Sequence, residues 1–118
     1  MRVGVVVRVD PSSPARPPTG ADVLVELRDT SRVDVPSITV ASAHGVLPSG
    51  DDAALEVTFD VDHGSLAPGT ALTVFAQSTA DRSGRREKGD WITMESYPVP
   101  LGAAGEYRTT EVTLRQIR

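Results

Sequence analysis

The chain predicts an all-β fold, a seven-stranded antiparallel β-sandwich of immunoglobulin-like or transthyretin-like type. Three observations carry this expectation. Seven segments alternate apolar and polar residues with a period of two, turn residues separate them, and no segment of helical period competes. Valine supplies much of the apolar content, and its stiff, branched Cβ favours extended backbone. At 118 residues, 39% of them hydrophobic, the chain has material for one core and too little for two, so residues 1–118 read as a single domain.

Taken in order, residues 2–9 set Val3, Val5, Val7 and Val9 on one face. The Pro-rich stretch 10–20 comes next. Proline offers no N–H to a ladder and fixes φ, so despite two P-x-x-P matches the stretch reads as a stiff crossing between sheets before it reads as a polyproline ligand. Residues 22–28 alternate Val23, Val25 and Leu27 against Asp22, Glu26 and Arg28. The run 37–43 is weaker, with Ile38 and Val40, and Pro48-Ser49-Gly50 supplies a turn after it. Residues 54–61 give the clearest alternation, Leu55, Val57, Phe59 and Val61 against Glu56, Thr58 and Asp60. After the Pro68-Gly69 turn, residues 70–78 point Leu72, Val74 and Ala76 one way and Thr73, Phe75 and Gln77 the other. A long charged loop, 79–90, precedes the run 91–99. Gly102-Ala103-Ala104-Gly105 leads into the last strand, 108–117, where Val112 and Leu114 mark the buried face.

Composition removes several classes of function. A net charge of −4 with no basic stripe repels phosphate backbones, so nucleic acid is not an expected partner. With no cysteine, disulfides, thiolate nucleophiles and Cys-ligated zinc are absent. The early apolar run Val3–Val7 is far shorter than a signal h-region or a membrane span, and the sequence as written predicts a cytoplasmic location.

The segment Gly89-Asp90-Trp91-Ile92-Thr93-Met94-Glu95-Ser96-Tyr97-Pro98-Val99 resembles one in the YscW-type lipoprotein chaperones, the group that also includes the YbaY lipoproteins. There, Gly-Asp, a bulky residue and Ile-Thr are followed by Ser-Tyr-Pro-Val. The likeness extends to Ala21–Arg32, where an alternating Val-x-Val-x-Leu run ends in Asp-x-Ser, to Asp34-Val35-Pro36-Ser37, and to Leu66-Ala67-Pro68-Gly69 with the strand after it. It covers most of residues 20–118. The resemblance implies a β-sandwich that binds a polypeptide, as pilotins of that group bind a terminal segment of a secretin ring subunit. Those relatives carry an exported, Cys-anchored N-terminus that this sequence lacks, which implies an intracellular member or a trimmed chain.

Strand parity nominates a binding surface. With Ile92, Met94 and Ser96 facing the core, Trp91, Thr93, Glu95 and Tyr97 face outward together with Phe75, and exposed aromatics on neighbouring strands form the apolar patch that marks docking surfaces. The competing expectation is that Trp91 folds under the 79–90 loop or that parity slips at Gly89.

Other sites are weaker. Asp81-Arg82-Ser83-Gly84, with Glu87 and Asp90, has an oxygen-rich look suited to calcium. Its spacing is wrong for an EF-hand, and Arg82, Arg85, Arg86 and Lys88 in the same loop oppose a divalent cation. His44 and His63 lie near Asp51, Asp52, Asp60 and Asp62, with Ser42, Ser49 and Ser65 available, yet no G-x-S-x-G or H-E-x-x-H element positions a catalytic set. The expected function is therefore non-enzymatic, without cofactor or metal. It is that of a peptide- or protein-binding, chaperone-like domain, whose ligand adds a strand to a sheet edge or lies across the outer aromatic face. A structural accessory domain without a ligand is the alternative, with a calcium-binding or hydrolytic domain behind it.

Overall fold

A computed structural model describes residues 1–13, 15–17, 20–31, 36–48, 54–62, 66, 69–79, 89–99 and 107–117. Eight strands form among them: β1 Arg2–Val9, β2 Asp22–Asp29, β3 Ile38–Val46, β4 Leu55–Asp60, β5 Leu72–Ser78, β6 Trp91–Thr93, β7 Pro98–Val99 and β8 Tyr107–Gln116. The all-β expectation holds, and the alternation of the first, second, fourth, fifth and last segments places the strands where the sequence puts them. The strands join in one sheet in the order β3-β2-β5-β6-β8-β1-β4, with β7 continuing the β6 side of β5.

The structure corrects two expectations. The expected purely antiparallel pattern is mixed, because β1 and β8 pair in parallel from Arg2↔Tyr107 to Val9↔Leu114. The expected pair of stacked sheets is a single sheet that curls until its two ends meet: a Cβ on Gly45 of β3 would lie 2.6 Å from Leu55 Cδ1 of β4, although β3 and β4 do not pair. The wall is thus a nearly closed barrel. Period-two alternation is satisfied equally by two sheets facing each other and by one sheet facing itself, since both need one apolar face per strand.

The core fills the inside of that wall. Val3, Val5 and Val7 of β1, Val23, Val25 and Leu27 of β2, Leu72 and Val74 of β5, and Val112 and Leu114 of β8 are almost wholly buried. Phe59, Val61, Trp91 and Val99 join them. Burying one such side chain contributes roughly 1.5–3 kcal/mol. Of the connections read from sequence, Asp10–Ser13 folds back on β8, where the Asp10 N–H donates to the Leu114 carbonyl at 2.9 Å. The turns at 49–50 and 102–105 lie outside the described residues, as does most of the 79–90 loop.

Candidate functional site

The segment from Gly89 to Val99 reaches its position through backbone bonds to β8. Gly89 takes φ 93°, a left-handed conformation that suits glycine. Its N–H donates to the Ile117 carbonyl at 2.8 Å, and the Ile117 N–H returns a bond of 2.8 Å to the Asp90 carbonyl. This anchor sets the parity of β6. Trp91 pairs with Ser78 and Gln116, Ile92 with Gln77 and Arg115, and Thr93 with Leu114. Trp91 and Thr93 therefore face inward and Ile92 outward, the reverse of the nominated surface and in line with the competing expectation that parity slips at Gly89.

Further along, Leu72 pairs with Val99 and Thr73 with Pro98, and the Val74 N–H donates to the Tyr97 carbonyl at 3.0 Å. Phe75 alone thus stands opposite Met94, Glu95 and Ser96. The two additional residues loop outward, and an even number of extra residues leaves the parity on either side unchanged. Tyr97 and Val99 consequently face inward as Trp91 does.

The loop-out removes strand partners, and side chains replace them. The Ala76 N–H donates to Thr93 Oγ1 at 3.2 Å, and the Thr113 N–H of β8 donates to Tyr97 Oη at 3.2 Å. Tyr97 Oη in turn donates to Glu95 Oε2 at 3.1 Å. Arg115 closes the arrangement from β8, donating through Nε to Glu95 Oε1 at 2.6 Å and through Nη1 to Asp10 Oδ2 at 2.8 Å. Asp10 Oδ1 also accepts from the Ser12 hydroxyl and backbone N–H.

The bond from Arg115 holds the Glu95 carboxyl below its ordinary pKa, and those from Ser12, with Arg115 nearby, do the same for Asp10; Glu95 in turn raises Arg115. These shifts run away from neutrality. A general acid or base works best with a pKa near the operating pH, so the group is suited to holding the loop-out against β8 and unsuited to proton transfer.

The five residues nominated from sequence meet different fates. Trp91, expected outside, is 3% exposed and belongs to the core. Its indole outweighs Ile92 in apolar area, and the Gly89 turn lets the larger group take the inside. Thr93 and Tyr97 are half-buried and spend their oxygens on backbone N–H groups. Glu95 is exposed and paired. Phe75 does face outward, half-buried beneath Arg28, whose guanidinium carbon stands 4.3 Å from the ring centre. Arg28 is held there by Glu26 at 2.8 Å. No open aromatic patch assembles among these residues, although Thr93, Glu95 and Tyr97 do converge on one break in the wall. The exposed large apolar residue at that break is Met94, expected inside.

Of the histidines, His44 lies on the outer face with Nδ1 3.2 Å from Asp22 Oδ2, a surface pair between β2 and β3. His63, Ser49, Ser65, Asp51 and Asp52 lie outside the described residues, as do Asp81, Ser83 and Glu87 of the calcium-like loop.

A second feature was not nominated from sequence. At the seam, Ala41, Ala43 and Gly45 face inward from β3 opposite Leu27, Val25 and Val23, and Leu55 and Val57 face inward from β4 opposite Val7 and Val5. The partners on β1 and β2 are fully buried, yet Ala41, Ala43, Leu55 and Val57 are only half-buried. Small residues alternating at 41, 43 and 45 were the available signal. They read as a weak strand, and Ile38 and Val40, taken as its apolar mark, are exposed. Val40 is the extra residue where the register shifts, Leu27 pairing with Ala41 and Arg28 with Thr39. Beyond the far end of β4 lies a cleft of about 610 Å³ lined by Met1, Arg2, Asp60, Val61, Asp62 and Tyr107.

No family model matches the chain, and no curated protein matches it. Among solved structures, it is similar to an alternative pilotin from the type II secretion system of Vibrio cholerae, with a TM-score of 0.69 at 20% identity. The likeness covers 98% of this chain and 97% of that one, so the two share a fold over their whole lengths.

Proposed function

We propose that this chain is a non-enzymatic, protein-binding domain that works as a pilotin-like chaperone in a secretion assembly. The observation that supports the reading most is the shared fold with a pilotin from end to end of both chains. A fold hosts many functions, so the site must agree with it. It does so in one respect: the polar cluster at the break has carboxyl pKa values shifted away from those of acid–base catalysis, whereas the seam offers edges that no described strand pairs, over half-buried apolar residues. The kinship with the YscW-type and YbaY lipoproteins, drawn from the Gly89–Val99 motif, belongs to the same proposal, and its expected ligand is a terminal segment of a secretin subunit.

Two surfaces compete for that ligand, the seam and the break, where Phe75 and Glu95 lie on the outer face and Thr93 and Tyr97 point inward. Trp91, in the core, supports either only indirectly. The test is titration calorimetry with synthetic peptides spanning the terminal segments of the secretins encoded in the source genome. Saturable binding at about micromolar Kd, roughly −8 kcal/mol, is expected. Absence of heat with every segment at millimolar concentration overturns the pilotin-like reading.

A further inference from the structure

We propose that the β3–β4 seam receives an extended segment of a partner protein as an added strand, with apolar side chains turned inward and a basic one turned outward to Glu56. The inference rests on the protein-binding reading above and adds the site, the binding mode and the chemistry of the ligand.

Backbone comes first. Among the described residues β3 pairs only with β2 and β4 only with β1, so each strand has one edge whose N–H and C=O groups meet no described strand. Around the sheet, the successive pairings leave β3 and β4 running in opposite directions, and they touch where Leu55 lies over Gly45. An entering strand is therefore parallel to one edge and antiparallel to the other. It enters from the end opposite the Gly45–Leu55 contact, where Ile38 is 67% exposed. Along β3 the regular stretch Ala41–His44, short of the Gly45–Leu55 contact, is the part open to pairing. The register shift at Val40 disrupts the ladder toward Ile38, as bulges on edge strands do.

Side chains then specify the ligand. Ala41, Ala43, Leu55 and Val57 face the interior but remain half-exposed, so alternate residues of an inserted strand cover them. Alanine at 41 and 43 leaves room there for bulky apolar groups such as valine or leucine, whereas the space over Gly45 is taken by Leu55. On the outer face the carboxylates nearest the seam are already engaged: Asp60 with Arg2 at 3.0 Å, Glu26 with Arg28, Asp22 with His44. Glu56, in mid-β4 opposite Val6, is exposed and makes no ion pair among the described residues. It selects lysine or arginine. The same charge disfavours a second copy of this chain set β4 against β4, because that pairing brings Glu56 and Asp60 toward their own kind.

The probe is a seven-residue peptide alternating lysine and valine, compared with one alternating glutamate and valine and one alternating lysine and serine. Backbone amide exchange is measured by NMR on the full chain. The lysine–valine peptide is expected to slow exchange in both Ala41–His44 and Val57–Asp60, with the other two peptides weaker. Glu56→Lys, an exposed substitution that leaves the core intact, should weaken its binding about threefold to tenfold.

Protection at the Met94–Ser96 loop-out alone, or equal binding of all three peptides, overturns the proposal. So does protection that grows with protein concentration and needs no peptide, which is the signature of a second copy. If secretin segments bind while β3 and β4 exchange as before, this inference fails and the pilotin-like reading stands. If the lysine–valine peptide docks in the seam but no secretin segment binds, the pilotin-like reading fails and the site stands.

Discussion

At the break between β6 and β7, backbone groups that lose a strand partner gain a side chain in its place, whereas at the β3–β4 seam two edges face each other and no described strand pairs with either facing edge. Thr93 and Tyr97 bond to the Ala76 and Thr113 N–H groups, and Glu95, Arg115 and Asp10 tie the loop-out to β8. Trp91 fills the interior beneath it. At the seam the inward residues are alanine, glycine, half-buried Leu55 and Val57, and buried Phe59. An unpaired buried N–H costs about 1–3 kcal/mol, so an interruption inside a wall must be mended. At the seam no described strand mends the interruption, and that is where the added strand proposed above would enter.

The contrast is broken most directly at Trp91. Trp91→Ala should lower stability by about 3–5 kcal/mol, read as a drop in the denaturation midpoint, because the indole is in the core. An unchanged midpoint would return it to the surface. Phe59→Ala should cost a similar amount on the other side of the barrel.

Gly45→Ala probes the seam. The added methyl meets Leu55 Cδ1 and Cδ2 at 2.6 and 2.7 Å, so Leu55 must move, at a cost of about 1–3 kcal/mol. Amides of β3 and β4 should exchange faster while those of β1 keep their rates. Uniform loosening would show that the seam is not an independent unit.

A smaller loss, about 0.5–1.5 kcal/mol, is expected for Tyr97→Phe, which deprives the Thr113 N–H of its acceptor without removing the ring. Thermal unfolding together with the Thr113 exchange rate checks it, and acceleration confined to that amide is the expected sign.

The smallest effect concerns acid. Glu95 and Asp10 have folded-state pKa values below their unfolded ones, so their contribution is present at neutral pH and is lost as pH falls through the ordinary carboxylate range, about 4, and below. Glu95→Gln with Asp10→Asn should flatten the acid limb of the stability curve and leave its shape above about pH 6 unchanged. A change of shape at neutral pH would point to some other titrating group.

Much of the fold was legible in the residues. Val23-x-Val25-x-Leu27 and Leu55-x-Val57-x-Phe59 put their apolar groups on one side so cleanly that any half-buried sheet would turn them inward, and it does. The run 91–99 was not legible in this way. Its even positions hold Ile92 and Met94, its odd positions Trp91, Tyr97 and Val99, so alternation gives no decision. The anchor of Gly89 on Ile117 and the two-residue loop-out give one, and both depend on β8, which is distant in sequence. The docking surface nominated from parity therefore loses Trp91 to the core, while Thr93, Glu95 and Tyr97 are recast as neighbours at a break.

By itself the sequence determined which residues are extended outside the run 91–99 and, on five of the strands, which side of each is apolar, because that information is local and repeats every two residues. Which strands are neighbours was decided by the tertiary structure alone. Hydrogen-bonding edges are chemically alike along every strand, so β1 against β8 in parallel, one curled sheet in place of two stacked ones, and the meeting of β3 with β4 emerge only when the chain closes on a shared core. The seam is a product of that closure.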